Sequence, residues 1–584
     1  MMKTFLNENQ LIMTSCQHYG GFSGFQDYGL NGCFIKNAII STWRNLFVKN
    51  NIYEVELPSL MLYAVLRASG HVDRFTDAIV TDENGVCHRA DHFAKKWFES
   101  NGMPDMAYQV DSWDLQTLQN QINSYAMLGC TNSIVSKKNL MMEVGSNLMM
   151  EVGSDDPDFL RPELAQGIFV NFKYYQSYLQ PDQNTPFIPF GVAQIGKSYR
   201  KEISPQPYIR LREFTQAEIE YFVDPLDKNH EDFDNCSNII IPILTSDMQL
   251  KGQDTINISI GRAVEENYIS HKLMAYFLAR IYHFALKIGL KYNKIRFRQH
   301  LPNEMAHYSS QCWDLECFVN GSWLECVGCA DRGCYDLDCH SKINTNQPLV
   351  AKRKLAEPIK KMHYTITPDV SKLRALYPRD VNNIKLYFKN LDQDMAKSLA
   401  SSLQNNMYGT ICIITNDDKY FFDSSIFNIK AKETIISSET FIPHVIEPSF
   451  GIDRLFYATI EHNMWQRESD ERRLVLSLPP LLHLYDIAVF PLHKKDPMIM
   501  IANKIRNSIS GNLRCYCDDT STAIGKKYVR CDEIGVKYVV TVDPGTIVNG
   551  LVTVRERDSM NQISVDIDEL INSLSSGNDY FWQF

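Results

Sequence analysis

The sequence predicts an α+β protein: a large mixed body containing an antiparallel hairpin, an inserted α/β subdomain, and a separate C-terminal α/β module. Three observations predict it. Pro189 to Phe222 reads as two strands joined by a turn with two prolines. Two apolar stripes at helical spacing mark long core helices. Past residue 480, strand-like runs alternate with helical ones.

The elements follow in chain order. Phe34–Val48 sets Phe34, Ala38, Ile39, Trp43, Leu46 and Phe47 near helical spacing, and Glu54–Leu57 reads as a short strand running into Pro58. Tyr268–Ile288 is a second helix, with Leu273, Phe277, Ile281, Phe284, Ala285 and Ile288 on one stripe. Core packing accounts for both stripes. Asn139–Ser146 reads NLMMEVGS, and Asn147–Ser154 repeats it. A solenoid needs several repeats, so this duplication is expected only to lengthen a loop or hairpin. Residues 342–368, rich in Lys, Asn and Pro, read as a connector, and Leu373–Lys432 as an inserted α/β pattern. Prolines 479 and 480 suggest a boundary. Beyond it, strands are expected at Ile487–Phe490, Arg514–Cys517, Tyr538–Val542 and Leu551–Arg555. Helices are expected at Met498–Ser508 and Ile524–Ile534, with a last one from about Asp566. The domains expected are 1–341, an insertion at 342–434, the body resumed at 435–480, and a module at 481–584.

Composition bounds the function. At 584 residues the chain exceeds one hydrophobic core. It has no apolar run long enough for a transmembrane helix. Met1–Cys16 has one Lys, no Arg and Glu8, a poor presequence, so a soluble cytoplasmic protein is expected. Its 15 cysteines read as free thiols. A net charge of −10 neither advertises nor forbids nucleic-acid binding, which local basic surface decides.

The chemistry is concentrated in the hairpin. A two-residue period puts Arg210, Arg212, Phe214, Gln216, Glu218 and Glu220 on one face of its second strand, and Gln194, Ser198, Arg200 and Glu202 on one face of its first. A face this dense in both charges is either solvated surface or a site where arginines hold phosphates, an aromatic ring stacks on a base, and carboxylates hold an ammonium. Gly191–Ser198 fits G-x-x-x-x-G-K-S, but a P-loop needs a helix after it, and here a strand residue and a proline-rich turn follow. Arg161 and Glu163 precede a helix expected from Ala165. Phe441–Arg454 reads as strand, turn, then helix, with Arg454 in the first helical turn. A cation opposes the helix dipole there, unless an anion is nearby. Cys326-x-x-Cys329 with Cys334, Cys339 and His340 is a weak zinc signal, because the later spacings are irregular.

These segments resemble the class II aminoacyl-tRNA synthetases. Arg200-Lys201-Glu202 with its hairpin is similar to the second signature motif, Glu447–Arg454 to the third, and Phe34–Pro58 to the weak first motif at the dimer interface. Within the class, Tyr19–Gly24, Ser69–Asp73, Arg89–His92, Arg296–His300, Asn303–His307, Trp323–Arg332, Asp518–Thr520 and Arg530–Gly535 resemble the eukaryote-type, single-polypeptide glycyl-tRNA synthetases, in the same order. The resemblance implies an antiparallel-sheet catalytic domain, an anticodon-binding C-terminal domain, and ATP-dependent activation of glycine with transfer to the 3′ end of tRNA(Gly). It implies Mg²⁺, a homodimer, and diadenosine tetraphosphate synthesis as a side activity. It implies catalytic roles for Arg200 and Arg454. It also implies an ATP site of Arg200, Lys201, Glu202, Arg210, Leu211, Phe214, Glu325, Cys326 and Arg454, with Glu325 contacting the metal, and a glycine site of Glu163, Glu218, Glu447, Pro448 and Ser449.

Three positions depart from that pattern. Leu164 stands where the family usually has Thr, Asp453 where Gly is common, and the turn from Glu202 to Arg210 is one residue shorter. The alternative reading is a non-catalytic, dimeric nucleic-acid-binding subunit of the same fold. Such a subunit need not keep Arg200, Glu202, Glu218, Glu447, Ser449 and Arg454 together.

Overall fold

The computed structural model describes residues 2–82, 85–110, 113–144, 157–180, 187–305, 309–405, 410–415, 418–468, 470–509, 511 and 513–576. The second copy of the octapeptide, 147–154, and residues 306 and 307 lie outside them. Contacts divide the chain into two compact units, one of 1–181, 187–349 and 442–584, the other of 182–186 and 350–441.

A nine-stranded sheet organises the first unit. Its strands are β1 (Ile52–Val55), β2 (Phe190–Tyr199), β3 (Glu213–Val223), β4 (Ile240–Leu244), β5 (Ile256–Ser259), β6 (Ile295–Gln299), β7 (Gln311–Val319), β8 (Ser322–Gly333) and β9 (His444–Gly451). Their order across the sheet is β5-β4-β6-β7-β8-β9-β3-β2-β1. Pairing is antiparallel except at β2–β1 and β4–β6.

Helices on one face include α1 (Leu30–Phe47) and α2 (Lys272–Lys287). Ile39, Trp43 and Phe47 of α1 and Phe277 and Phe284 of α2 share a core with Ala217, Ile219 and Tyr221, the odd-numbered residues of β3. The even-numbered residues of β3 therefore face the other way. Phe34 and Ala38 are only partly buried, whereas Ile35, which the expected stripe omits, is 1% exposed.

The hairpin pairs Phe190 with Phe222 through to Tyr199 with Glu213. The sequence suggested longer strands, from 189 to 202 and from 209 to 222. In fact residues 200–212 leave the ladder, because Pro205 and Pro207 have no N–H to donate. A bridge between Gln206 and Arg210 closes the excursion, with Tyr208 at φ 72°. The P-loop-like run lies within β2 and is a strand. Its Gly196 is required by a close approach: a Cβ there would lie 2.2 Å from Arg161 Nη2.

The second unit corrects an expectation. Residues 351–368 are not a connector but an 18-residue strand, Ala351–Pro368, paired antiparallel with Phe427–Phe441. Pro358 falls in the register shift between Lys354 and Ile359, where a missing N–H removes no ladder bond. The boundaries expected at 342 and 434 accordingly fall inside the helix Tyr335–Ile343 and the strand Phe427–Phe441. This unit has its own core, including Ile366, Leu373, Ile384 and Phe388.

Residues after 486 form a five-stranded sheet of β10 (Ile487–Pro491), β11 (Cys515–Cys517), β12 (Tyr538–Val542), β13 (Leu551–Glu556) and β14 (Gln562–Asp566), in the order β11-β10-β12-β13-β14. The strand Gln562–Asp566 and the short helix Pro544–Asn549 were not expected. Buried Asp532 ties this module to the hairpin Met464–Leu476. It takes Arg467 at 2.9 Å and Arg473 at 3.1 Å from that hairpin, and Arg555 of β13 at 2.9 Å.

Candidate active site

The strand period and the sheet register assemble the site together. Phe214, Gln216, Glu218 and Glu220 share the open face of β3. Across the β3–β9 ladder, Ser449 lies opposite Glu218, and Glu447 shares its face two residues earlier. Glu447 in turn lies opposite Ala330 of β8, whose same-face neighbour is Arg332. Glu163 comes from the segment before helix Ala165–Val170.

At one end these groups form a buried network. Ser449 Oγ donates to Glu218 Oε1 at 2.8 Å, and the Leu164 N–H donates to Glu218 Oε2 at 2.7 Å. The Leu at 164 thus serves the carboxylate through its backbone. Arg332, 1% exposed, sits at the centre. Its guanidinium is 2.9 Å from Glu447 and 3.4 Å from Glu163, and it holds Asp336 through two bonds of 2.8 and 3.0 Å. His71 Nε2 is 3.3 Å from Glu163, and Gln166 donates to Glu163 at 3.0 Å. Burial pushes the Glu163, Glu218 and Glu447 carboxyls upward. At Glu163, His71 and Arg332 override it and hold the group well below the usual carboxylate range. At Glu218, burial and the Glu163 charge prevail and raise it. Burial raises Glu447 to about 8 despite Arg332.

At the other end lie the cations and aromatic rings. The Arg200 guanidinium is 5.3 Å from the Phe214 ring centre and 5.2 Å from that of Phe75. Arg210 lies with its terminal nitrogens 3.1 and 3.2 Å from the His92 ring nitrogens, and 3.9 Å from the Glu202 carboxylate. Arg454 stands in the first turn of the helix Ile452–Asn463 and donates to the Ile209 carbonyl at 2.9 Å and the Glu325 carbonyl at 2.8 Å. The Glu325 carboxylate, 3.4 Å away, is the anion expected beside it.

Both ends open into one cavity of about 250 Å³. Glu163, Glu218, Glu447 and Ser449 line its first end. Arg200, Glu202, Arg210 and Leu211 line the other, as do Phe214, Glu325, Cys326 and Arg454. Two expected residues stand apart. The Lys201 side chain is exposed, its N–H bonded to the Leu140 carbonyl. Pro448 alternates to the far face of β9.

Sequence reasoning missed Arg332 and its partner Asp336, and His71 and Gln166, which contact Glu163. The available signal was a strand-borne Arg two residues from a position facing the site. It also missed what Asp453 does: the carboxylate accepts from Lys36 Nζ at 2.9 Å, from the Tyr28 hydroxyl and from the Thr215 N–H. Among the described residues, the donor atoms of Cys326, Cys329, Cys334, Cys339 and His340 do not group closely enough to share an ion. Cys329 is buried against the Met274 sulfur, at 3.4 Å, and Cys326 donates to the Leu324 carbonyl. Among the described residues, donor atoms close enough to share an ion occur at His300, Cys312 and Asp314, and at Glu218, Glu220 and Glu447.

This sheet, with an arginine-lined end beside a carboxylate-lined end and a C-terminal α/β module, has the fold of the class II aminoacyl-tRNA synthetases. A prolyl-tRNA synthetase from Cryptosporidium parvum shares it, with a TM-score of 0.51 at 13% identity, over 99% of this chain and 75% of that one. One from Giardia lamblia does so at 0.50 and 13%, over 97% and 73%. Residues 486–576 match the family described as "Anticodon binding domain". The chain is 39% identical to the glycine–tRNA ligase of Methanocaldococcus jannaschii over 96% of each. It is 36% identical to that of Caenorhabditis elegans, over 94% of this chain and 76% of the relative. It is 34% identical to the mitochondrial glycine–tRNA ligase 1 of Saccharomyces cerevisiae, over 95% and 87%. The chain belongs to the glycine–tRNA ligase family.

Proposed function

We propose that the cavity binds glycine at its carboxylate end and ATP at its arginine end, so that glycine is activated to glycyl-adenylate and then passed to tRNA(Gly). Family membership supports the reaction, and the single observation that carries the site is the convergence of Glu218, Ser449, Arg200 and Arg454 on one cavity. The non-catalytic alternative gains no support.

The chemistry needs no covalent enzyme intermediate. A glycine carboxylate oxygen attacks the α-phosphorus in line, forming the mixed anhydride as the bond to pyrophosphate breaks. The protein supplies position and positive charge for the developing phosphate charge. In this proposal Arg200 meets the α-phosphate, Arg210 backed by His92 meets the outer phosphates, and Phe214 stacks on adenine. Arg454 closes over the γ-phosphate and the opposite adenine face, and Glu202 faces the adenine edge. Glu163, Glu218, Glu447 and Ser449 grip the ammonium. Contact area cannot select the smallest amino acid, so their bulk must exclude a β-carbon. Mg²⁺ would be held by Glu325, whose side chain is 55% exposed at the cavity, together with phosphate oxygens and water, a ligand set that suits this ion. When bound it would neutralise phosphate charge.

Amino-acid-dependent exchange of pyrophosphate into ATP tests the reading, with glycine, alanine, serine, threonine and proline compared. Exchange with glycine alone, abolished in Arg200→Ala, is expected. Exchange with another amino acid would overturn the pocket assignment. Incubation with glycine and ATP alone tests for diadenosine tetraphosphate. The proposed assembly is a homodimer through the α1–β1 region, checked by sedimentation. The proposed compartment is the cytoplasm, checked by fractionation.

A further inference from the structure

Glu220 is fully buried, and neither of its carboxylate oxygens has a hydrogen-bond partner among the described residues. Register explains where it points. It follows Glu218 by two residues, so the two share a face. The pairs Glu218–Ser449 and Tyr221–Ile446 bracket it and set it across the ladder from Glu447. Carboxylate oxygens of Glu218, Glu220 and Glu447 lie within 4.8 Å of one another. Like charges directly opposite on neighbouring strands repel, and a desolvated carboxylate without donors is among the least favourable groups a protein can hold.

The surroundings do not supply enough positive charge. On β2 the cross-strand neighbour of Glu220 is Val192, which is apolar. The charged groups acting on it are Glu447 from β9, Arg332 from β8, Glu218 from β3 and Glu163 from the segment before Ala165. Asp336 shares Arg332, and His71 is directed at Glu163. The guanidinium of Arg332 is thus divided among Asp336, Glu447 and Glu163 before Glu220 is considered. Burial and the Glu447 charge accordingly push Glu220 well above the usual carboxylate range.

We propose that the Glu220–Glu447 carboxyl pair holds protons while the pocket is empty, and that docking of the glycine ammonium expels one of them to solvent. This rests on the assignment of the pocket to glycine. Glycine enters as a zwitterion, and its ammonium brings one positive charge to Glu447, Glu218 and Glu163. One carboxyl O–H bond of the pair breaks, its proton passes to the buffer, and the pair keeps a proton between its members. Glu220 acts through Glu447 and is a positioning residue. The pocket then recognises charge as well as size, and glycine binds more tightly as pH rises toward the range in which the empty pair titrates.

Calorimetric titration of the full chain with glycine, at pH 7 in two buffers of different ionisation enthalpy, tests the proposal. The wild type is expected to show a heat difference corresponding to about one proton released per glycine. Its Kd is expected to fall by up to about tenfold per unit between about pH 6 and 8. Glu220→Gln keeps the shape of the side chain and is expected to bind glycine with the buffer difference lost and the Kd flat across that range. An infrared difference spectrum of the wild type is expected to lose protonated-carboxyl intensity on adding glycine, and this readout does not depend on the variant folding. Equal heats in both buffers for the wild type, unchanged carboxyl intensity, or a Glu220→Gln variant that still releases the proton would overturn the coupling while leaving the glycine pocket intact. Absence of any binding isotherm would overturn the pocket assignment, and the coupling with it.

Discussion

Arg332 Nη1 lies 2.9 Å from Glu447 Oε2 across the β8–β9 ladder, and both groups are buried. The same guanidinium binds Asp336 through two further bonds. A planar fork can serve several carboxylates at once, which a lysine ammonium cannot reproduce. Replacing Arg332 with Leu should destabilise the protein by about 3–5 kcal/mol, because it leaves buried carboxylates uncompensated. Arg332→Lys should recover little of this. Urea unfolding measures the first effect, and glycine-dependent pyrophosphate exchange should be lost in both variants.

Asp453 is the second buried node. It is 3% exposed and takes Lys36 at 2.9 Å one residue before Arg454. Asp453→Ala should cost about 3–5 kcal/mol by leaving Lys36 desolvated and unpaired. It should also raise the KM for ATP, because Arg454 begins the same helix. Adding Lys36→Met should restore most of the stability, since an apolar replacement of both partners removes the uncompensated charge. A double-mutant cycle in urea checks the coupling.

Gly196 leaves room for Arg161, whose guanidinium donates to the Leu57 carbonyl at 2.7 Å, the Pro58 carbonyl at 3.0 Å and the Lys197 carbonyl at 2.9 Å. A methyl group at 196 would force the guanidinium out of that position. Gly196→Ala should destabilise by about 1–3 kcal/mol through overpacking. Thermal unfolding checks this, and nucleotide binding by the alternative P-loop geometry would show instead as unchanged stability with lost ATP affinity.

His462 and His483 are 5% and 4% exposed, and burial lowers each to about 4. Burial holds each neutral against a hydrogen bond to a carbonyl, of Phe318 at 3.1 Å and Leu478 at 3.0 Å, which by itself favours the charged ring. Between the folded value and the ordinary 6.5, the unfolded chain binds more protons than the folded one. Stability should therefore rise with pH across that window and be lost as pH falls from 6.5 towards 4. Each histidine accounts for up to about 3 kcal/mol of this loss. Urea midpoints at several pH values measure it, and His462→Gln should flatten the dependence.

Much of the site was legible because it depends on local backbone period. Glu218 and Glu220 share a face whatever the strand pairs with, and Pro205 and Pro207 stop the ladder wherever it runs. Four strands of the C-terminal module were equally plain, since apolar runs such as Tyr538–Val542 are buried along their whole length, whereas the mostly exposed Gln562–Asp566 was not. The ribbon Ala351–Pro368 was not legible. Its lysines are exposed, so it carries no apolar alternation to read, and its strand state depends on pairing with Phe427–Phe441.

By itself, then, the sequence determined which side chains stand together on each strand and where turns must interrupt them, because those follow from dihedral preference and a period of two. Tertiary structure alone decided that Ser449 meets Glu218 across 231 residues, that Arg332 compensates Glu447 and Glu163, and that Glu220 lies opposite Glu447 without a donor. Those relationships come from the register between strands distant in the chain, and from a burial that leaves charge nowhere to go except to a partner or a proton.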